Sequence, residues 1–121
     1  MIAHTYGLDI VPGKEPPTVR LSNGDTDFVL YFDIYASEGE LLIEEDTTAV
    51  LRGRRPDGTA YESAVVLDGN IAVVEGDSEI TAVAGKGLFE ISMTHDGKFL
   101  STQNFLIVVE ENPREESNDS T

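Results

Sequence analysis

The stretch Asp27-Phe28-Val29-Leu30-Tyr31-Phe32-Asp33-Ile34-Tyr35 alternates with period two and contains neither Gly nor Pro. Phe28, Leu30, Phe32 and Ile34 fall on one face of an extended chain. Val29, Tyr31, Asp33 and Tyr35 fall on the other. Such alternation marks a strand whose apolar face is buried. The second face is half apolar, more than a one-sided sheet needs, so it too has surface to pack against something.

The same period recurs on both sides of this strand. Upstream, Tyr6, Leu8 and Ile10 alternate with Gly7 and Asp9 until Pro12-Gly13 stops them. Pro16-Pro17 enforces an extended link, and Val19 and Leu21 flank Arg20 in a short strand that ends at the turn cluster Ser22-Asn23-Gly24-Asp25. Downstream, Glu38-Gly39-Glu40 turns the chain and Leu41-Leu42-Ile43 is a short apolar piece. Thr48 to Arg55 and Tyr61 to Leu67 form a hairpin around Pro56-Asp57-Gly58-Thr59, where Pro presets φ and Gly accepts a positive one. Asp68-Gly69-Asn70 leads into Ile71 to Glu75. Leu88 to Thr94 places Phe89, Ile91 and Met93 on one face. The Asp-Gly of His95-Asp96-Gly97-Lys98 is a type I′ signal, and Phe99 to Glu110 reads as one long final strand with Phe105, Ile107 and Val109 inward. Only Asp77 to Ala84 breaks the pattern. Ile80, Val83 and Ala84 stand at helical spacing behind a capping Asp77 or Ser78, which predicts one helical turn or two, closed by Gly85.

Seven or eight short strands separated by Gly, Pro and Asp turns predict an all-β fold, an antiparallel β-sandwich with one short helical turn. A closed β-barrel is the second choice. The domain is expected over residues 1–111. From Glu111 onward no aliphatic or aromatic residue occurs, so 112–121 reads as a polar acidic tail or linker.

With 121 residues and 13.2 kDa the chain builds one core. Asp and Glu number 23 against 8 Lys and Arg, a net charge of −15. That balance repels phosphate backbones and anionic lipids, which argues against nucleic acid and membrane surfaces as partners. Without Cys there is no disulfide, thiolate zinc site or cysteine nucleophile. No run approaches the roughly 18 apolar residues of a membrane span, and Met1 to Thr5 has no basic or apolar leader, so synthesis in the cytoplasm without a cleaved signal is expected.

Chemistry-bearing residues are few. His95 stands beside Asp96 in a turn, but no G-x-S-x-G elbow presents a serine to it. His4 lies near the terminus. Glu38, Glu40, Glu44, Glu45 and Asp46 form an acidic loop whose spacing requires no catalytic pair. Asn23, Asp25 and Asp27 have the alternation of a calcium loop, but Phe28 stands where the sharp-turn Gly belongs. Arg52, Arg54 and Arg55 concentrate positive charge, with Glu62 available across the hairpin. Tyr6, Tyr31, Tyr35 and Tyr61 are read mainly as sheet packing. Tyr31 and Tyr35, outward on the central strand, are the candidates for a partner surface or a sugar platform. No enzyme activity, cofactor or metal is expected.

Three elements in order resemble a known family: Leu21-Ser22-Asn23-Gly24-Asp25 followed by Phe28 to Ile34; Arg54-Arg55-Pro56-Asp57-Gly58-Thr59; and Thr81 to Lys86 leading through Phe89-Glu90-Ile91 to Leu100 to Glu110. Over about residues 5 to 112 the chain resembles the N-terminal domain of the phage baseplate upper protein family of tailed phages with Gram-positive hosts. The resemblance implies an immunoglobulin-like or related β-sandwich and a place in the virion, made in the host cytoplasm. It implies docking onto a tail hub or other baseplate components and a homo-oligomer, with downstream parts carrying host-binding proteins. It carries over no catalytic residue. The chain ends at Thr121, where family members continue into a helical linker. Either the sequence is the N-terminal piece of a longer protein or it is a short stand-alone relative, and the second case favours a stand-alone virion decoration or fibre-anchoring protein. A carbohydrate-binding adhesin module is a separate alternative.

Overall fold

The computed structural model describes residues 1–112; the expected tail from 113 to 121 lies outside the described residues. The described chain is all-β. Its nine strands are β1 (Ile2–Asp9), β2 (Thr18–Ser22), β3 (Phe28–Tyr35), β4 (Thr48–Arg54), β5 (Ala60–Asp68), β6 (Ile71–Glu75), β7 (Gly85–His95), β8 (Lys98–Ser101) and β9 (Phe105–Glu110). They form one continuous ladder in the order β1-β3-β6-β5-β4-β7-β9-β2, with β8 joined to β7.

Alternation places the core side chains. Along β3, Phe28, Leu30, Phe32 and Ile34 are buried while Val29, Tyr31, Asp33 and Tyr35 are not. β7 and β9 contribute Phe89, Ile91 and Met93, and Phe105, Ile107 and Val109, to the same cluster. β3 and β9 are separated in the ladder by four strands, yet the Phe32 and Phe105 rings lie 4.8 Å apart. The sheet therefore curls until its inner face meets itself, as a half-barrel. The corner is in β5: Ala60 to Val65 pair with β4, and Val66 to Asp68 pair with β6. Two slopes result, β1-β3-β6 and β4-β7-β9-β2, each with an outward face.

The curl is also fastened near the ends of the ladder. Gln103, buried between β8 and β9, accepts the Asp9 N–H on its side-chain oxygen at 2.8 Å. Its own backbone N–H donates to the Asp9 carbonyl at 2.6 Å. The Asp9 carboxylate accepts the backbone N–H groups of Val11 and Ser37 at 3.0 and 3.1 Å. Burial pushes this carboxyl's pKa upward, but hydrogen bonds from the Ser37 hydroxyl and these two N–H groups, with Lys14 nearby, together outweigh it and hold the pKa below its ordinary value.

Three expectations need correction. The sheet is mixed, not antiparallel, because β1 runs parallel to β3 and β2 parallel to β9. One ladder traced through a shared strand replaces two separate sheets, so neither the immunoglobulin-like sandwich nor the closed barrel describes it. Period-two patterning reveals a face but not the direction of a neighbour. The helical turn expected at 77–84 is a run of turns, with one Ile80 N–H to Asp77 carbonyl bond at 3.1 Å. Tertiary bonds take the peptide groups there: the Thr81 carbonyl accepts from Gly24 N–H at 3.1 Å and from Asn23 Nδ2 at 2.6 Å. The long final strand is broken in two. Ser92 faces Ser101 and Phe89 faces Phe105, three steps on β7 against four on the other side. One extra residue is a bulge, and it reverses the side-chain parity. Phe105 is therefore buried whereas Phe99, at the same parity, is 76% exposed.

Two expected outcomes follow. Phe32→Ala lowers unfolding stability by about 3–5 kcal/mol, and in a double-mutant cycle with Phe105→Ala the two changes are coupled by about 1 kcal/mol, because each removes the same contact. Additivity in denaturant titrations would contradict the curl. The second concerns Tyr61, whose hydroxyl donates to Asp77 Oδ2 at 2.9 Å. Its pKa is pushed from 10.0 up to about 12, by burial first, with Asp77 adding to it. A folded-state pKa above the unfolded one contributes stability that is complete below about pH 10 and is lost as pH rises through about 12. Tyr61→Phe costs about 1 kcal/mol at neutral pH and loses less stability than the parent between pH 10 and 12. Parallel alkaline curves would contradict this.

Candidate docking faces

The outward face of the β1-β3-β6 slope is built by register. Tyr31 lies between Thr5 on β1 and Val73 on β6, and Val73 faces Val66 on β5. Asp33 lies between Gly7 and Ile71, and Ile71 faces Asp68. Val29 lies between Ala3 and Glu75. The centre of this face is apolar: Tyr31, Val29 and Val73 are half-buried, Ile71 is exposed and Val66 is 66% exposed. Its rim is acidic, with Asp33, Asp68 and Glu75 all exposed and free of ion pairs among the described residues.

Both candidate tyrosines lie on this face. Tyr31 stands at its centre. Tyr35, 44% exposed, lies toward its edge, its ring over β1, where a Cβ on Gly7 would meet Tyr35 Cε1 at 3.3 Å. Asp33 separates the two rings along β3, so they make two contact points and not one aromatic platform. Sequence reasoning missed Val66, Ile71 and Val73. The available signal was the consecutive apolar pairs Val65-Val66 and Val73-Val74, which leave one residue outward whichever face is buried.

The remaining candidates are held by local structure. Arg52 faces Glu62 in the ladder, but its ion pair is with Glu90 on β7 at 2.9 Å. Arg55 pairs with Glu79 at 2.7 Å, and Arg54 donates to the Gly58 carbonyl. His95 Nδ1 lies 2.8 Å from Asp46 of the acidic loop, not against Asp96. Asp96 and Gly97 have φ of 50° and 75°, the positive pair a type I′ turn requires. The Asn23 to Asp27 segment serves the fold: the Asp25 carbonyl accepts the Thr81 hydroxyl at 2.8 Å, and Asp27 pairs with the N-terminus at 3.3 Å. A cleft of about 150 Å³ opens between the edge strands β1 and β2, floored by Leu21 and Phe28 and rimmed by His4, Arg20, Asp25, Asp27 and Glu110. Tyr6 stacks on Phe32 at 5.7 Å and Tyr61 meets Phe89 edge-on at 6.0 Å, both as packing residues.

No protein-family model matches the chain. No curated protein matches it either. Among solved structures the chain is similar to the N-terminal domain of phage TP901-1 ORF48, with a TM-score of 0.70 and 17% sequence identity, over 91% of this chain and 99% of that one. At that identity the likeness is one of fold.

Proposed function

We propose that this protein is a non-enzymatic component of a phage virion, an adaptor module of the baseplate or tail that docks onto other virion proteins and helps carry host-binding ones. The observation that carries the reading is the fold shared, across nearly the whole of both chains, with an N-terminal domain of a phage protein. The sequence motifs that resemble baseplate upper proteins point the same way.

The surface chemistry fits a docking module. An apolar centre rimmed by charge is the anatomy of a protein–protein interface, where buried aromatic groups supply affinity and rim charges orient the partner. The β1-β3-β6 outward face has that anatomy, with Tyr31 and Tyr35 as anchors. The two tyrosines are set apart by Asp33, which makes a sugar platform the weaker reading of the same face.

Tyr31→Ser with Tyr35→Ser is expected to reduce incorporation into virions by tenfold or so while leaving the protein folded. Quantitative blotting of purified particles, with thermal unfolding of the free protein as the companion measurement, tests this. Full incorporation would exclude the face as the virion contact. Absence of the wild-type protein from particles would exclude the virion role itself.

A further inference from the structure

The opposite slope carries the complementary pattern. On its outward face Arg20 of β2 lies beside Val108 of β9, which lies beside Lys86 of β7. In the next row Leu106 faces Leu88, and Leu88 faces Arg54 of β4. Leu88 is 47% exposed, and Leu106 and Val108 are half-buried. Arg20, Arg54 and Lys86 are exposed and form no ion pair among the described residues. Of the chain's 8 Lys and Arg residues, Arg20, Arg52, Arg54 and Lys86 all lie on this face. Its carboxylates are Glu62, Glu90 and Glu110, of which Glu90 is held by Arg52. The first face has no base at all among its outward β3, β5 and β6 positions.

We propose that the occupant of the acidic face around Tyr31 is the basic face around Leu88 of a second copy of this chain, so that copies associate head to tail. The inference rests on the docking reading of that acidic face and names its partner. An aliphatic centre of Leu88, Leu106 and Val108 with Arg20, Arg54 and Lys86 around it, and four bases against three carboxylates over the whole face, complements an apolar centre with Asp33, Asp68 and Glu75 around it and no base. The acidic face against its own kind juxtaposes like charges with no base to offset them, which costs affinity and disfavours a two-fold contact through it. A contact between two different faces propagates, and it closes into a ring or extends as a filament. The net charge of −15 does not forbid it. At physiological salt the Debye length is about 8 Å, so contact charges outweigh those on the far side. A specific interface buries about 800 Å² per partner, and packing one sheet face on another is a common way to reach it.

The test uses two charge-reversed proteins and sedimentation equilibrium up to about 1 mM, the weakest contact on the usual affinity scale. Arg20→Glu with Lys86→Glu makes both faces acidic. Asp33→Lys with Glu75→Lys makes both basic. The wild type is expected to self-associate, each variant alone to associate at least about tenfold more weakly, and an equimolar mixture of the two to regain association. Circular dichroism confirms that each is folded. Glu38→Lys with Glu40→Lys, on the exposed loop after β3, changes net charge equally and is expected to leave association intact. A monomeric wild type, reversals without effect, or a mixture no stronger than its parts would each overturn the proposal. None of these would decide whether the protein sits in virions, which the incorporation experiment answers separately.

Discussion

The contact between Phe32 and Phe105 governs this structure. The two rings belong to strands that stand second and seventh in an eight-strand ladder, and they meet at 4.8 Å. A flat sheet would hold them several strand spacings apart. Their contact therefore means that one continuous sheet has turned its apolar face on itself. Burial of that face supplies the main driving force for the turn. Much else is a consequence. β5 must change partners to make the corner, β8 and β9 must be separated by a bulge, and Gln103 must bridge from the bulge to the end of β1.

Curling also creates what the protein presents to its surroundings. Each strand of a sheet has two faces, so a sheet folded on itself has two outward slopes. In this chain the slopes differ in charge: one has carboxylates and no base at its outward β3, β5 and β6 positions, the other four bases and three carboxylates. One shows tyrosine, valine and isoleucine within carboxylates; the other shows leucine and valine within arginine and lysine. For a chain as acidic as this one, collecting half its bases on one slope is a departure from an even spread. Electrostatic complementarity of this kind contributes more to orientation and partner choice than to raw affinity.

The sequence was legible wherever the determining interactions are local. Alternation in Phe28 to Tyr35 identified the buried face correctly, and the Asp96-Gly97 turn takes the positive φ values its residues favour. The parallel pairings of β1 with β3 and of β2 with β9 were not legible, because pairing direction is not written in the alternation of either strand. Nor was the bulge at Thr102-Gln103. These are polar residues buried by bonds to Ile91 and Asp9, and nothing local distinguishes them from an exposed pair. The helical spacing of Ile80, Val83 and Ala84 misled because Thr81 spends its backbone and hydroxyl on the Asn23 to Asp25 turn. The candidate face was half legible: Tyr31 and Tyr35 lie where alternation puts them, but Val66, Ile71 and Val73 join them only through the ladder order.

The account's central claim is that the two outward slopes, and not the sheet edges, are the surfaces through which this chain assembles. Amide chemical shifts of the isotopically labelled wild-type protein, followed over a dilution series, test it residue by residue. The account predicts concentration-dependent shifts in two groups, around Tyr31, Val66, Ile71 and Val73 and around Arg20, Lys86, Leu88 and Leu106, with the buried residues of β3 and β9 changing little. Shifts confined to the edges of β1 and β2, or spectra that do not change with concentration, would contradict it.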